Sequence, residues 1–347
     1  MKWEGQYHPQ IKVNIVPTTG ISNHAKVESY YNNIRPYLKK KQFDCVVGFN
    51  RIPDLDIYFA ADICYLEKIK SQRTIFSLLT PRYRLFTRFE RALFAPQSKT
   101  EIIYLSKLQK SGYQKIYHTP DNKFHYAPPG VNKHLLESIT NSNQRDTVRN
   151  ELNISGTEYF LLMIGSNFKT KGVARSIKAL ASLSDPLREK TFLAIIGYGK
   201  EQRYLNLAKR LGVHSKVRFL GSREDTFRFL NAADIVLQPS LHESAGNVIV
   251  ESLAAGVPVI ATDTCGYAEH IKQSLAGAII HGFPFAQEEF NDTLQKSLNF
   301  DTIIRMKKNA LDYAKKTDLY SRTQVIADII EKIAATRTES SRVRDEG

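Results

Sequence analysis

The sequence predicts an α/β protein of two doubly wound domains, and three observations carry that prediction. Short apolar runs alternate with amphipathic stretches almost throughout, as strands and helices do on a parallel sheet. Pro128-Pro129-Gly130 breaks the alternation and marks a domain boundary. The stretch from Ile235 to Ala261 reads as strand, loop, helix and strand, with Glu243 and Glu251 flanking the helix start. A chain of 347 residues has room for two cores of ordinary size. The expected division is residues 1–130, residues 131–334 and an unstructured polar tail, 335–347.

In the first half, strands are expected near Lys12–Val16, Cys45–Gly48, Ile102–Leu105 and Phe124–Ala127. The polar run Asn141-Ser142-Asn143-Gln144-Arg145 reads as a surface connection. The second half is more regular. Its expected strands lie near Tyr159–Ile164, Phe192–Ile196, Val217–Leu220, Ile235–Leu237, Pro258–Ala261 and Ala278–Ile280, with helices between them. Two helices close the chain, the last placing Val325, Ile326, Ile329, Ile330 and Ile333 on one face. No internal repeat is visible.

Composition narrows the class. An apolar fraction of 42% argues for a folded chain. No apolar run reaches the roughly 18–20 residues of a membrane span, and no signal-peptide pattern follows Met1. Cys45, Cys64 and Cys265 lie far apart without metal-ligand spacing and read as small buried hydrophobes in a reducing compartment. A cytoplasmic location follows as the expectation. Residues 1–130 carry 20 Lys and Arg against 10 Asp and Glu, so most of the formal net charge of +14 lies there. Such a half suits nucleic acid, anionic lipid or an acidic polysaccharide.

The helical pattern Val248–Ala255 ends at Gly256. Its N-terminus favours an anion, because the first N–H groups there are unpaired and carry the positive end of the dipole. Ser244, Ala245 and Gly246 are small enough for a ligand to approach the backbone, which continues into Asn247 and Val248. Glu251, about a turn into the helix, could accept both hydroxyls of a ribose, and Glu243 lies where a sugar ring would sit. The alternative is a capped helix with two solvated glutamates.

The strand Tyr159–Ile164 runs into Gly165-Ser166-Asn167-Phe168-Lys169-Thr170-Lys171-Gly172. Ligands bind at the carboxyl ends of such strands, so Lys171 points toward a crevice where a diphosphate needs a cation. Gly221 and Arg223 follow another strand and could set backbone groups against a base. Gly197 reads as a tight turn. Asp62 follows an apolar run and is a candidate crevice carboxylate, the alternative being a helix cap or a surface aspartate. Asp54 and Asp56 have the spacing of a diphosphate-metal motif, but they lie in the other half from the Lys171 loop. No metal is expected, and the nine histidines form no ligand cluster.

Residues 65–94 interleave Lys68, Lys70, Arg73, Arg82, Arg84, Arg88 and Arg91 with Tyr65, Phe76, Tyr83, Phe86 and Phe89. This composition fits a helix lying on an anionic membrane. The alternative, given less weight, is a core-packing helix with a solvated basic face. No nucleic-acid module accompanies it, and no G-x-G-x-x-G follows a strand, which argues against a dehydrogenase.

The Pro239–Glu251 segment, with Ala255-Gly256-Val257-Pro258-Val259-Ile260-Ala261 and Gly266-Tyr267, resembles the donor site of family 4 retaining glycosyltransferases. Five further stretches are similar to the lipopolysaccharide core glucosyltransferases of the WaaG (RfaG) type. They are Val47–Pro53, Leu55–Tyr65, Phe89-Glu90-Arg91-Ala92, Pro128-Pro129-Gly130 and Cys265-Gly266-Tyr267-Ala268. The resemblance implies a GT-B fold, two Rossmann-like domains facing across a cleft. It implies retaining, metal-independent transfer of glucose from UDP-glucose to an inner-core heptose, on the cytoplasmic face of the inner membrane. Glu251 would then hold the ribose, Glu243 the glucose hydroxyls, and Lys171 the departing β-phosphate. Asp62 would lie near the reacting sugar, and residues 65–94 would meet the membrane surface.

Two departures accompany the resemblance. The strand, Gly-Gly loop and helix that open the family are missing ahead of Trp3, so the first domain is expected to lack its first strand and helix. The competing expectation is therefore a truncated, non-catalytic paralogue that binds UDP-sugar and membrane without turnover. The family's arginine before the lysine is here Thr170, with Lys169 the nearest substitute.

Overall fold

Parallel pairing decides the architecture of both halves of the chain. The computed structural model describes residues 8–40, 43–71, 78–133 and 144–345. It forms two units, Met1–Ala127 with Gln324–Gly347, and Pro128–Thr323.

The second unit contains a six-stranded sheet. Its strands are β5 (Tyr159–Ile164), β6 (Thr191–Ile196), β7 (Val217–Phe219), β8 (Ile235–Gln238), β9 (Val259–Thr262) and β10 (Gly277–Ile280). Their order across the sheet is β10-β9-β8-β5-β6-β7, with every pairing parallel. The chain thus winds outward from β5 in one direction, then returns to its other side as β8 and winds the opposite way. A parallel sheet covered on both faces needs strands apolar on both faces, and Phe160-Leu161-Leu162-Met163 and Phe192–Ile196 are buried accordingly. Helices 173–182, 202–210 and 287–297 cover the sheet, contributing Ile177, Tyr204, Phe290 and Leu294 to one apolar core.

One polar cluster ties this core to its surroundings. Asp234, immediately before β8, is almost wholly buried. It accepts from the Phe160 backbone N–H at 2.9 Å, from Arg145 at 2.7 Å and from Arg149 at 3.2 Å, and Lys307 lies 3.3 Å away. Burial pushes its carboxyl up, but Lys307 and Arg145 outweigh that and hold it below its ordinary range.

The first unit has a smaller parallel sheet in the order β1-β2-β3-β4, comprising Val47–Gly48, Ile57–Ala60, Glu101–Tyr104 and Phe124–Tyr126. Aromatic packing dominates its core. Phe94 stacks on Tyr113 with centroids 3.7 Å apart and meets Tyr58 edge-on at 5.8 Å. The helix Pro81–Phe94 starts where Thr80 caps the Tyr83 N–H and proline fills the first turn. Its face of Leu85, Phe89, Leu93 and Phe94 enters the core.

Four readings need correction. Lys12–Val16 is not a strand: no neighbour pairs with it among the described residues, and Ile11, Val13 and Ile15 stay exposed. Ile57–Ala60, read only as an apolar run leading to Asp62, is an inner strand paired on both sides. The final helix, Arg322–Asp345, continues through most of the expected tail. From Gln324 it belongs to the first unit, where Arg337 pairs with Asp56 at 2.5 Å. Polar composition alone does not mark lack of structure, since charged and polar residues occur throughout helices. Gln144 and Arg145 begin a helix, whereas Asn141–Asn143 lie outside the described residues.

Removing the buried hub of the second unit strands three cations, the situation in which a broken buried pair destabilises by about 3–5 kcal/mol. Asp234→Ala is expected to lower the unfolding free energy by that amount, measured by urea denaturation of each variant.

Candidate functional site

The reversal of strand order between β5 and β8 opens a crevice at their carboxyl ends, and two loops border it. From β5 comes Gly165–Gly172, whose short helix Phe168–Lys171 starts at Asn167 and stops at Gly172, both left-handed. From β8 comes Pro239–Gly246, which leads into the helix Asn247–Ala254. The loops are pressed together. Leu241 donates its N–H to the Thr170 carbonyl at 2.8 Å, and Arg175 donates to the Pro239 carbonyl at 2.9 Å. A Cβ on Gly172 would sit 2.1 Å from the Pro239 oxygen, so only glycine allows this approach.

The two sequence-predicted side chains meet there. The Lys171 ammonium donates to Glu243 Oε2, with both side chains about one-fifth exposed. The stem of Lys171 lies on Gly165, where a Cβ would come within 2.6 Å of its Cε. Glu243 is fixed by its backbone: its N–H donates to Thr264 O at 3.0 Å and its carbonyl accepts from Gly266 N at 3.0 Å. Tyr267 N–H likewise reaches Ala245 O at 2.7 Å. The Ser244-Ala245-Gly246 loop is therefore braced by the turn after β9.

Gly246, at φ 92°, caps the helix Asn247–Ala254 without a side-chain hydrogen bond. The first amides, Asn247 and Val248 among them, have no acceptor within the helix, the arrangement that favours an anion. Glu251 lies on that helix. Burial pushes its carboxyl above the ordinary range, while Arg322 and Lys171 pull it back. A desolvated carboxylate flanked by cations, beside open amides, is suited to accept hydroxyls.

Arg322 escaped the sequence reading. Its guanidinium donates to Pro128 O at 2.9 Å, to Tyr267 OH at 2.8 Å and to Asn247 Oδ1 at 3.2 Å. It thereby supports the helix that carries Glu251. An isolated arginine at the start of a distant helix leaves no pattern to detect.

Other predicted residues are placed differently. Lys169 lines a cavity of about 460 Å3 with Tyr198, Lys200 and Arg203, a lining that does not include Lys171. Arg223 forms a fork with Asp225 at 2.8 and 2.9 Å and lies 4.5 Å over the Phe229 ring. Asp225 is held at a pKa of about 2, first by its bond to Arg223. Gly221 offers its carbonyl to Gly197 N at 2.8 Å, which joins two turns at the crevice edge.

In the first unit, Asp62 has a side chain that is 78% exposed and stands 3.9 Å from Arg51. It does not cap the helix Tyr65–Ser71. Glu90 does so from the neighbouring helix, accepting from Tyr65 N at 2.6 Å and Leu66 N at 3.4 Å. Glu90 is fully buried and also binds Arg51 at 2.7 Å and Tyr117 OH at 2.7 Å. Asp54 accepts from Tyr31 OH at 2.6 Å, and Asp56 from Val46 N at 2.8 Å, so both carboxylates of that pair serve the fold. No group of three His, Cys, Asp or Glu suited to a metal occurs among the described residues. Residues 65–94 are partly a core helix with an exposed basic face, as one of the two readings held; Arg73, Ile75 and Phe76 lie outside the described residues. No helix among those described is long and apolar enough to cross a membrane.

Residues 144–317 match the family model described as glycosyl transferases group 1. The chain is 40% identical over 332 residues to the lipopolysaccharide glucosyltransferase WaaG of Escherichia coli (strain K12), covering 94% of this chain and 88% of that one. The crystal structure of WaaG, a glycosyltransferase involved in lipopolysaccharide biosynthesis, superposes with a TM-score of 0.89 at 39% identity, covering 94% and 89% of the two chains. Anabaena Alr3699/HepE, in a crystal structure with UDP-glucose, shares the fold at a TM-score of 0.65 and 18% identity, covering 88% and 82%.

The raised Glu251 carboxyl has a stability consequence. The folded state holds this proton more tightly than the unfolded state, so the ionised carboxylate weakens the fold at neutral pH. Glu251→Gln is expected to raise the melting temperature of the ligand-free chain at pH 7. The advantage should fade as the pH falls through the folded value toward about pH 4, the ordinary carboxylate range. Differential scanning calorimetry across that span measures it.

Proposed function

We propose, from the premise that this chain belongs to the group 1 glycosyl transferases and among them to the lipopolysaccharide core glycosyltransferases of the WaaG type, that it moves glucose from UDP-glucose to an inner-core heptose. The observation that carries the reading is the convergence of Lys171, Glu243 and Glu251 on one crevice at the strand reversal. Identity to a lipopolysaccharide glucosyltransferase over nearly the whole chain supports the acceptor class.

In this reaction Glu251 takes the ribose hydroxyls and the open amides of Asn247 and Val248 face the diphosphate. Lys171 exchanges its bond to Glu243 for the β-phosphate, stabilising the negative charge that grows there as the glycosidic bond breaks. Glu243, released, accepts sugar hydroxyls. Transfer proceeds with retention and without a metal, Lys171 and the helix N-terminus supplying the positive charge. Asp62 serves the acceptor side. The exposed basic face of residues 81–94 meets anionic lipid, which keeps the protein peripheral on the cytoplasmic side of the inner membrane.

A second reading, donor binding without turnover, rests on one observation. The position before Lys171 is Thr170, and Lys169 faces Tyr198 and Arg203 instead of the ion pair. One assay separates the two. Labelled glucose transfer from UDP-glucose to heptose-terminated lipopolysaccharide, in EDTA, is expected to proceed, and its absence with intact UDP binding would establish the second reading. In either case Glu251→Ala removes charge-assisted bonds to the ribose, each worth about 1.5–3 kcal/mol. UDP affinity measured by calorimetry should fall at least ten-fold.

A further inference from the structure

The first unit holds a cavity of about 290 Å3 that the donor reaction leaves unused, lined among others by Arg51, Asp62, Tyr65, Lys68, Arg82 and Phe86. Three cations approach it from separate segments: Arg51 after β1, Lys68 from the helix Tyr65–Ser71 and Arg82 from the first turn of Pro81–Phe94. Among the described lining residues Asp62 is the only carboxylate. Glu90 stands behind Arg51 and is fully committed to it, to Tyr117 and to two backbone amides.

Arg51 is the firmly held cation of the three, whereas Lys68 is half-buried and Arg82 exposed. Arg51 is nine-tenths buried, donates to Ile63 O at 3.0 Å and Tyr113 OH at 3.3 Å, and keeps a buried Nε without a hydrogen-bond partner. Arg82 lies 5.6 Å over the Phe86 ring, and Tyr65 packs on Phe86 at 5.3 Å, forming an aromatic wall. Burial lowers the Lys68 pKa, Asp62 pulls it up, and Arg82 and Arg51 lower it further. Counting Glu90 and Asp62 against the three cations leaves one positive charge in excess in a partly desolvated space. A bound anion relieves that excess, and the planar arginine fork suits phosphoryl and carboxylate groups alike.

We propose that this cavity is an acceptor subsite for an anionic substituent, phosphoryl or carboxylate, on the saccharide whose hydroxyl is presented to Asp62. The proposal deepens the proposed function and rests on it for the saccharide. The aromatic wall of Tyr65 and Phe86 gives a sugar ring an apolar surface next to the charged groups. An anionic lipid headgroup shares the chemistry. However, Arg84, Arg88 and Arg91 lie exposed on the helix outside this lining, whereas the cavity sets the buried Arg51 beside an aromatic wall, which suits a discrete group on a sugar.

The test compares binding of two soluble probes by calorimetry: deacylated inner-core oligosaccharide, and the same oligosaccharide after its phosphates are removed and its carboxylates reduced. The native chain is expected to bind the anionic form at least ten-fold more tightly. In Arg82→Gln, and separately in Lys68→Ala, that ratio should fall about ten-fold, with an unchanged melting temperature confirming the fold. Equal binding of both probes by the native chain, or an unchanged ratio in both variants, would overturn the subsite. Loss of binding to phosphatidylglycerol vesicles with no loss on the oligosaccharide would assign the cations to lipid and overturn it equally. Because the readout is binding, it separates from the parent reading. Anion-dependent binding without glucose transfer sinks the transferase reaction alone, and transfer with an unchanged ratio sinks the subsite alone.

Discussion

The ion pair between Lys171 and Glu243 is the constraint around which the second unit is arranged. Lys171 and Glu243 come from loops on opposite sides of the reversal in strand order. They meet because β5 and β8 are neighbours whose onward windings diverge, which leaves their carboxyl-end loops facing one another. The bond from Leu241 N to Thr170 O and the contact of Gly172 with Pro239 then fix the separation of the loops. A pair set in this way holds a cation and a carboxylate at one crevice, each neutralising the other and each largely shielded from solvent.

A second buried pair, Arg51 with Glu90, plays the corresponding structural part in the first unit. Glu90 joins three elements at once: the loop after β1, the first amides of the helix Tyr65–Ser71, and Tyr117 of a third helix. Its full burial is affordable only because each carboxylate oxygen is multiply bonded. Through Arg51, which stands 3.9 Å from Asp62, that junction borders the Asp62 carboxylate, much as Arg322 braces the helix that carries Glu251.

Much of the second unit was legible in the sequence, and the first unit was much less so. The buried strands of the second sheet are continuous apolar runs bounded by glycine turns, and such runs have few other uses. That Glu243 and Lys171 share one crevice followed from placing both loops at strand carboxyl ends; that they bond to each other did not. In the first unit, β1 has only two residues and Ile57–Ala60 merges with its flanks, so neither gives a clear period. Lys12–Val16 shows that an alternating pattern is insufficient without a neighbour to pair with. Lys169 and Arg223 show what residue type and loop position leave open: Lys169 lines a cavity with Tyr198 and Arg203, and Arg223 forks onto an acid two positions away, and spacing alone reveals neither neighbour.

The close contacts at Gly165 and Gly172 bear on how this site would look to someone who could see only which substitutions survive. A methyl group at either position collides with the Lys171 stem or the Pro239 carbonyl. Both glycines would therefore score as intolerant as Lys171 itself in a saturation screen, although neither needs a donor to explain it. Lys169 and Arg223, exposed or paired off, would tolerate more. Ranking positions by intolerance would draw the ligand footprint partly over the scaffold that spaces the loops, and a library meant to change sugar preference should leave those two glycines untouched.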